Sequence, residues 1–345
     1  MPNAITPEAA GFRMPAEWSP HERCWMAWPC RPVTWNGRER EAKAAYAAVA
    51  RAIAGCEPVT MLARPEDVAD ARAACGDGVA VLAMPLDDSW MRDSGPTFLV
   101  DPKGEVAGAD WRFNAWGGKF PPWDKDAAVA CRVLAQLGMR AFEAPFVLEG
   151  GSIHVDGEGS VITTEQCLLN PNRNPGLGRA EIEANLRDWL GVSQVIWLGQ
   201  GLENDHTDGH VDDITCFVRP GVVLTATCAD PADANHRVLE DNLRRLRAAR
   251  DAKGRLLEII ELPLPARRDT ASGRLVSTYL NFYIANEAVI APSFGDPMDG
   301  EAAAILARAF PGRRIIQVPA LDIVEGGGGI HCITQQQPAG RPASR

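Results

Sequence analysis

Four short segments concentrate side chains that could carry nucleophilic and acid–base chemistry. Asp87-Asp-Ser-Trp-Met-Arg-Asp93-Ser-Gly-Pro96 holds Trp90 and Asp93, and Leu148-Glu149-Gly-Gly-Ser152 holds Glu149. Glu203-Asn-Asp-His206-Thr-Asp-Gly-His210-Val-Asp212 holds two histidines and Asp212, and Glu325-Gly-Gly-Gly-Gly-Ile-His331-Cys332-Ile-Thr-Gln-Gln336 holds Cys332. A cysteine alone is ordinarily a small buried hydrophobe, a description that serves for most of the nine in this chain. Cys332 differs because it follows four consecutive glycines. Each glycine costs roughly 0.5–1 kcal/mol in chain entropy and is justified where backbone bends sharply or approaches a ligand, so this thiol is a candidate nucleophile.

His210 and Asp212 stand at strand spacing, which puts both on one face of the following strand as a candidate proton-shuttling or metal-binding pair. For Asp93, a structural ion pair with neighbouring Arg92 competes with a functional role, and for Glu149, before two glycines, a plain turn carboxylate does so. His206 and His210, with Asp205 and Asp212, resemble metal-ligand spacing. The intervening Thr207-Asp208-Gly209 is turn chemistry, however, so the helical i, i+4 geometry is not required to form. A metal-dependent hydrolase using His206, His210 and Asp212 stands as the alternative of another class.

The elements that must position these segments recur. Amphipathic helical stretches fall near 38–54, 65–75, 124–138, 179–190, 234–252 and 299–310. Each from the second onward is followed by a short β-run: Val79–Met84, Arg140–Phe146, Gln194–Leu198, Leu256–Leu262 and Arg313–Val318. Ahead of them lie paired runs joined by Pro, Gly, Asp and Asn: Thr97–Val100 with Glu105–Ala109, Ser152–Val155 with Ser160–Thr164, Asp213–Val218 with Val222–Thr227, and Val276–Ile284 with Ala288–Ala291. The first copy is less regular, with Cys24–Trp28, an inserted helix, then Pro58–Leu62. The chain thus reads as strand–strand–helix–strand, five times, an α/β fold whose units close into a ring. In such a ring the links between units converge on one end of the axis, so the four chemical segments share one pocket. Residues 1–338 are expected to form a single catalytic domain, with 339–345 as a frayed tail.

The balance of 35 Lys and Arg against 45 Asp and Glu gives a net charge of −10, which disfavours nucleic acid and favours cationic partners. Met1–Met14 lack a basic-then-apolar pattern, and no apolar run approaches the roughly 20 residues of a membrane span. With nine cysteines and no C-x-x-C pair, a reduced, cytoplasmic protein with no membrane partner is expected. A homodimer is the base-rate expectation for assembly.

These segments resemble those of the agmatine deiminase family, within the guanidino-modifying pentein superfamily. The likeness runs through Gly11-Phe-Arg-Met-Pro-Ala-Glu-Trp18, Trp25-Met-Ala-Trp-Pro29, Trp90-Met-Arg-Asp-Ser-Gly-Pro96, Phe113-Asn-Ala-Trp-Gly-Gly118 and Leu148-Glu-Gly-Gly151. It continues through Cys167-Leu-Leu-Asn-Pro-Asn-Arg-Asn-Pro175, Thr207-Asp-Gly-His-Val-Asp212, Phe294-Gly-Asp-Pro297 and His331-Cys-Ile-Thr-Gln-Gln336. The resemblance implies a five-bladed α/β propeller, no cofactor and no metal, and a small cationic guanidino substrate hydrolysed to a ureido product and ammonia. It further implies that Asp93 and Asp212 grip the guanidinium, Cys332 attacks it, His210 shuttles protons, Glu149 orients His210 and Trp90 walls the pocket.

Two positions depart from the family pattern. Gly329 stands where Asn is common, and His206 where relatives carry an acid placed to meet the distal ammonium of agmatine. Arginine or another guanidino compound is therefore the alternative substrate, and Arg267 or Arg268, in the one link without a chemical motif, is a candidate for a carboxylate-bearing tail.

Overall fold

In the computed structural model, which describes residues 5–271 and 273–343, the alternation of short β-runs and helices becomes five small sheets built to one plan, with a separate two-stranded hairpin at Asp269–Thr270 and Gly273–Arg274. In each sheet a first strand pairs antiparallel with a second, which a tight turn allows. The second pairs parallel with a third, which requires a crossover. Four sheets follow chain order: Thr97–Val100, Glu105–Arg112 and Ala141–Val147; His154–Val155, Ser160–Thr164 and Gln194–Leu198; Thr215–Arg219, Val222–Thr227 and Glu258–Pro263; Tyr283–Ile284, Ala288–Ser293 and Arg314–Pro319. The chain therefore has a mixed α/β fold.

The irregular first copy is completed from the far end of the chain. Thr334–Pro338 pairs antiparallel with His21–Ala27, which runs parallel to Val59–Ala63, itself parallel to Val79–Ala83. The segment carrying Cys332 is thus stitched to the N-terminal strand. Ile330 and Ile333, both 0% exposed, flank His331 and Cys332 and join a core that includes Met26, Met61, Phe217, Leu224 and Ile290. Burying each isoleucine is worth roughly 1.5–3 kcal/mol, so the segment carrying Cys332 is pinned on both sides. The helix Glu39–Ala54 buries Ala42, Tyr46, Val49, Ala50 and Ile53, an apolar stripe at helical spacing.

Two expectations differ from the structure. Of Val276–Ile284 only Tyr283–Ile284 is strand. Before it, the Ser277 N–H donates to Leu275 O and the Leu280 N–H to Thr278 Oγ1, local bonds that compete with a ladder. The tail after Pro338 is held through Ala343: Arg341–Pro342 pairs with Glu105–Val106 on an otherwise open sheet edge, and Ala343 is 2% exposed. Residues 344 and 345 of that tail lie outside the described residues. Among the described residues no helix is long and apolar enough to cross a membrane.

Candidate active site

Cys332 stands just before Thr334–Pro338, and Arg92 clamps its backbone. The Arg92 N–H donates to Cys332 O at 3.1 Å, Nε to His331 O at 3.3 Å and Nη1 to Gln336 Oε1 at 2.7 Å. Arg92 is therefore committed to the Cys332 segment, leaving its neighbour Asp93 free of it. The glycine run serves close approach: a Cβ on Gly328 would stand 2.6 Å from the Trp90 ring and 3.2 Å from Cys332 Sγ.

Asp93 accepts the Gly151 N–H on Oδ1 and the Trp116 indole N–H on Oδ2, each at 2.9 Å. Burial pushes its carboxyl up, and although His210 opposes the rise, Asp212 and Glu149 add to it. Asp212 faces the same point: a Cβ on Gly151 would lie 2.5 Å from His210 Nδ1, 3.0 Å from Asp212 Oδ2 and 3.2 Å from Asp93 Oδ1, so only glycine lets these groups converge. Asp212 Oδ2 is 3.8 Å from Cys332 Sγ and 2.7 Å from His331 Nδ1, while its Oδ1 has no partner. His331 Nε2 reaches Glu17 Oε2 at 2.9 Å. Burial and Arg92 would push His331 down, yet Glu17 and Asp212 hold it above the usual imidazole value. Burial would raise Asp212, but the His331 hydrogen bond and charge keep it below the usual carboxylate range.

His210 is 1% exposed and neither ring nitrogen has a hydrogen-bond partner. Nδ1 lies 3.9 Å from Asp93 Oδ2 and Nε2 lies 4.0 Å from Glu149 Oε2. The other Glu149 oxygen takes the Arg173 Nε–H at 2.6 Å, and Arg173 in turn binds Asp208 Oδ2 at 2.6 Å. His210 and Asp212 do not sit on a strand as their spacing predicts; Val211–Asp213 forms a 3₁₀ turn closed by the Ile214 N–H on Val211 O. The loop before it is a side-chain-braced turn in which Asp205 accepts the N–H groups of Thr207, Gly209 and His210.

The metal set His206–His210–Asp212 is not assembled. Among the described residues, the group close enough to share an ion is instead Glu149, Cys167 and His210, and His206 is exposed.

Above this floor opens a cavity of about 370 Å³ whose lining includes Cys332, Asp93, Trp90, Trp116, Asp88 and His206. Trp90 stacks on Trp35 with ring centroids 5.8 Å apart. Trp116 is delivered by a backbone in the left-handed region, with φ of 51° at Ala115 and 56° at Trp116, a conformation costing roughly 1–2 kcal/mol per residue. Such strain at an indole bonded to Asp93 marks a candidate site residue to which pattern reading gave no role. His206 does reach the cavity, its ring 6.0 Å from that of Phe120. Arg267 and Arg268 do not: the first pairs with Asp269 and Glu203, the second donates to Phe294 O.

A buried floor with unfilled carboxylate and imidazole valences, negative on balance, belongs to an enzyme that receives a small cation. The Porphyromonas-type peptidyl-arginine deiminase family model matches residues 13–338, and this chain belongs to that family. It is 51% identical to the agmatine deiminase of Pseudomonas aeruginosa (strain LESB58) over 98% of both chains, and 49% identical to that of Ectopseudomonas mendocina (strain ymp) over 97% of both. The solved structure of the agmatine deiminase of Enterococcus faecalis catalyzing its reaction matches with a TM-score of 0.94 and 38% identity, covering 97% of this chain and 98% of that one.

Proposed function

We propose that this protein is an agmatine deiminase, hydrolysing agmatine to N-carbamoylputrescine and ammonia through a covalent adduct on Cys332. The observation that carries the reading is the convergence of His210 Nδ1, Asp212 Oδ2 and Asp93 Oδ1 on Gly151, with Asp212 Oδ1 and both nitrogens of His210 left without a partner and Asp93 held by N–H donors alone in hydrogen bonding. A guanidinium is planar, cationic and rich in N–H donors, and two carboxylates fill its edges with charge-assisted bonds. The bound cation places its carbon before the sulfur. It also offsets the burial and the charges of Asp212, Asp213 and Asp93 that hold the Cys332 thiol well up in the free enzyme.

The thiol proton passes to His210, and the thiolate attacks the guanidinium carbon to form the C–S bond. His210, now imidazolium, protonates the departing nitrogen, and ammonia leaves. Water then attacks the remaining thiouronium carbon, neutral His210 takes its proton, and the C–S bond breaks to release the ureido product and regenerate the thiol. Glu149 steadies the imidazolium from 4.0 Å, with Arg173 fixing the carboxylate. Every step uses side chains of this chain.

Agmatine is favoured over arginine by the cavity wall. Both lining cations are engaged, Arg31 with Phe120 O and Pro122 O, Lys119 with Asp208 and His206 O, so an α-carboxylate meets no ready partner among the described lining residues. Asp88, beside Arg31, and Glu325, paired with Arg38, line the same wall and place acidic groups on the side that an amine would meet. His206, in place of the family's acid, weakens that end. The repeated strand plan supports a five-bladed propeller forming one catalytic domain over residues 1–338. The test is ammonia release from agmatine, arginine, guanidinobutyrate and short alkylguanidines after exhaustive chelation. Agmatine should give the highest kcat/KM, unchanged by the chelator. Arginine in first place, or a loss restored by zinc, would overturn the reading.

A further inference from the structure

Residues 11–18 carry no chemical role in the sequence reading, yet Glu17 reaches the back of the cavity floor. From the substrate side inwards stand Asp212, His331, Glu17 and His154, all buried. His331 Nδ1 lies 2.7 Å from Asp212 Oδ2, and its Nε2 lies 2.9 Å from Glu17 Oε2. An ionised carboxylate only accepts, so both contacts are satisfied when the ring carries two protons and both carboxylates are charged. His154 does not share that charge. Its Nδ1 accepts the Phe217 N–H at 3.2 Å and is therefore unprotonated, which leaves a neutral ring with Nε2–H facing Glu17 Oε2 at 3.5 Å. The other Glu17 oxygen accepts the Ile284 N–H at 3.1 Å. Arg92 also acts on Glu17 and Asp212 by its charge, but its hydrogen bonds go to His331 O and Gln336.

We propose that His331 and Glu17 are positioning residues for Asp212: Glu17 holds an imidazolium at His331, and that imidazolium, bonded to Asp212 Oδ2, keeps the carboxylate charged with Oδ1 left open. The inference rests on the reading of Asp212 as a guanidinium grip. The floor needs such a device because its acids repel one another. Burial pushes Asp93 and Asp213 towards the neutral acid, and the charge of Asp212 adds to the push on both. Burial acts on Asp212 in the same sense, but the His331 hydrogen bond and charge reverse it, with His210 and Arg92 adding their charge. A resident cation bonded to Oδ1 would compete with the substrate; one bonded to Oδ2 and backed by Glu17 leaves that oxygen to it. His331 also precedes Cys332, so the same bond fixes Asp212 relative to the sulfur, 3.8 Å from Oδ2.

The experiment records pH profiles of kcat and kcat/KM for agmatine in the wild type, His331→Gln and Glu17→Gln. Glutamine at 331 keeps an N–H donor but not the charge. An opposite charge this close lowers a carboxyl by about 1–3 units, so the acidic limb of kcat/KM in His331→Gln should move up by about one unit or more. Glu17→Gln should move it the same way by less. Bound guanidinium restores a partner to Asp212, so the limb of kcat should stay, and at about pH 6 the loss should fall on KM, by about tenfold or more. Lost packing alone would lower kcat or the yield of folded enzyme and leave the limb in place. A limb of kcat/KM that stays put in folded His331→Gln overturns the inference; should that variant fail to fold, Glu17→Gln decides. Ring-nitrogen NMR of histidine-labelled wild type needs neither variant: at least one of the six rings should remain charged at about pH 8, and none charged there overturns the inference. Wild-type kinetics in Asp212→Asn would instead sink the reading of Asp212 as a grip.

Discussion

The floor of the cavity and its mouth are built on opposite terms. On the floor nearly every polar atom is assigned: Arg92 clamps the Cys332 backbone, His331 spans Asp212 and Glu17, and Arg173 holds Glu149. Asp212 and His210, which keep open valences, converge with Asp93 on Gly151. At the mouth, Arg38 bridges Glu325 and Asp322 in half-exposed pairs, Phe120 and His206 lean together, and Val33 is 75% exposed. Surface pairs of this kind are worth about 0–1 kcal/mol and rearrange readily, whereas a broken buried charge pair costs several. Reaction class should therefore be rigid to substitution at the floor, and substrate preference soft to substitution at the mouth.

That contrast breaks first at Asp93. Asp93→Asn keeps the shape but loses the charge and turns one acceptor into a donor, so kcat/KM for agmatine should fall by about 10²–10⁴-fold, on the scale of about 3–5 kcal/mol for breaking a buried charged pair. Kinetics near wild type would move Asp93 from floor to scaffold. Trp116→Phe removes one N–H donor to Asp93 while keeping the aromatic wall, and steady-state assays should find about a 10-fold loss, the scale of one hydrogen bond to a charged group. At the mouth, His206→Glu should raise the agmatine kcat/KM relative to an alkylguanidine without an amine by a few-fold, about 0.5–1 kcal/mol for a half-exposed ion pair. An unchanged ratio would assign the amine to Asp88 and Glu325.

The smallest effect lies under the mouth, where Asp126 receives the N–H groups of Asp87 and Asp88. Burial pushes Asp126 up to about 7, although those two backbone bonds oppose the shift. Its folded pKa therefore exceeds the unfolded one. The stability it contributes is present below about pH 4 and lost as pH rises through about 7. Asp126→Asn should raise Tm by about 2–4 °C at pH 8 and by less at pH 5, as scanning calorimetry would read it.

Much of the floor was legible in the sequence because its chemistry demands residue types that stand out: a cysteine after a glycine run, a histidine and acids in turn-rich links. The repeat was legible for a similar reason, since hairpin separators and amphipathic helices alternate at one period. What escaped reading was held by ordinary-looking residues. Asn281, whose Oδ1 accepts the backbone N–H groups of His331 and Cys332, sits in Val276–Ile284, an apolar stretch that mimics a strand until its local bonds are seen. Trp116 depends on a left-handed backbone run that no pattern announces, and His331 meets Asp212 on one side and Glu17 on the other only through folding distant links together. His206 was legible as an oddity, but its place at the mouth, with Asp205 and Asp208 tied up in turns and ion pairs, is a fact of packing.

The central claim is that Cys332 carries the substrate carbon. Mixing the enzyme with agmatine, quenching in acid during turnover and mapping peptides by mass spectrometry tests it directly. An amidino adduct of agmatine on the peptide containing Cys332, absent in His210→Ala and cleared when substrate is exhausted, is the predicted result. An active enzyme with no adduct at any quench time, or an adduct on Cys167 instead, would contradict it.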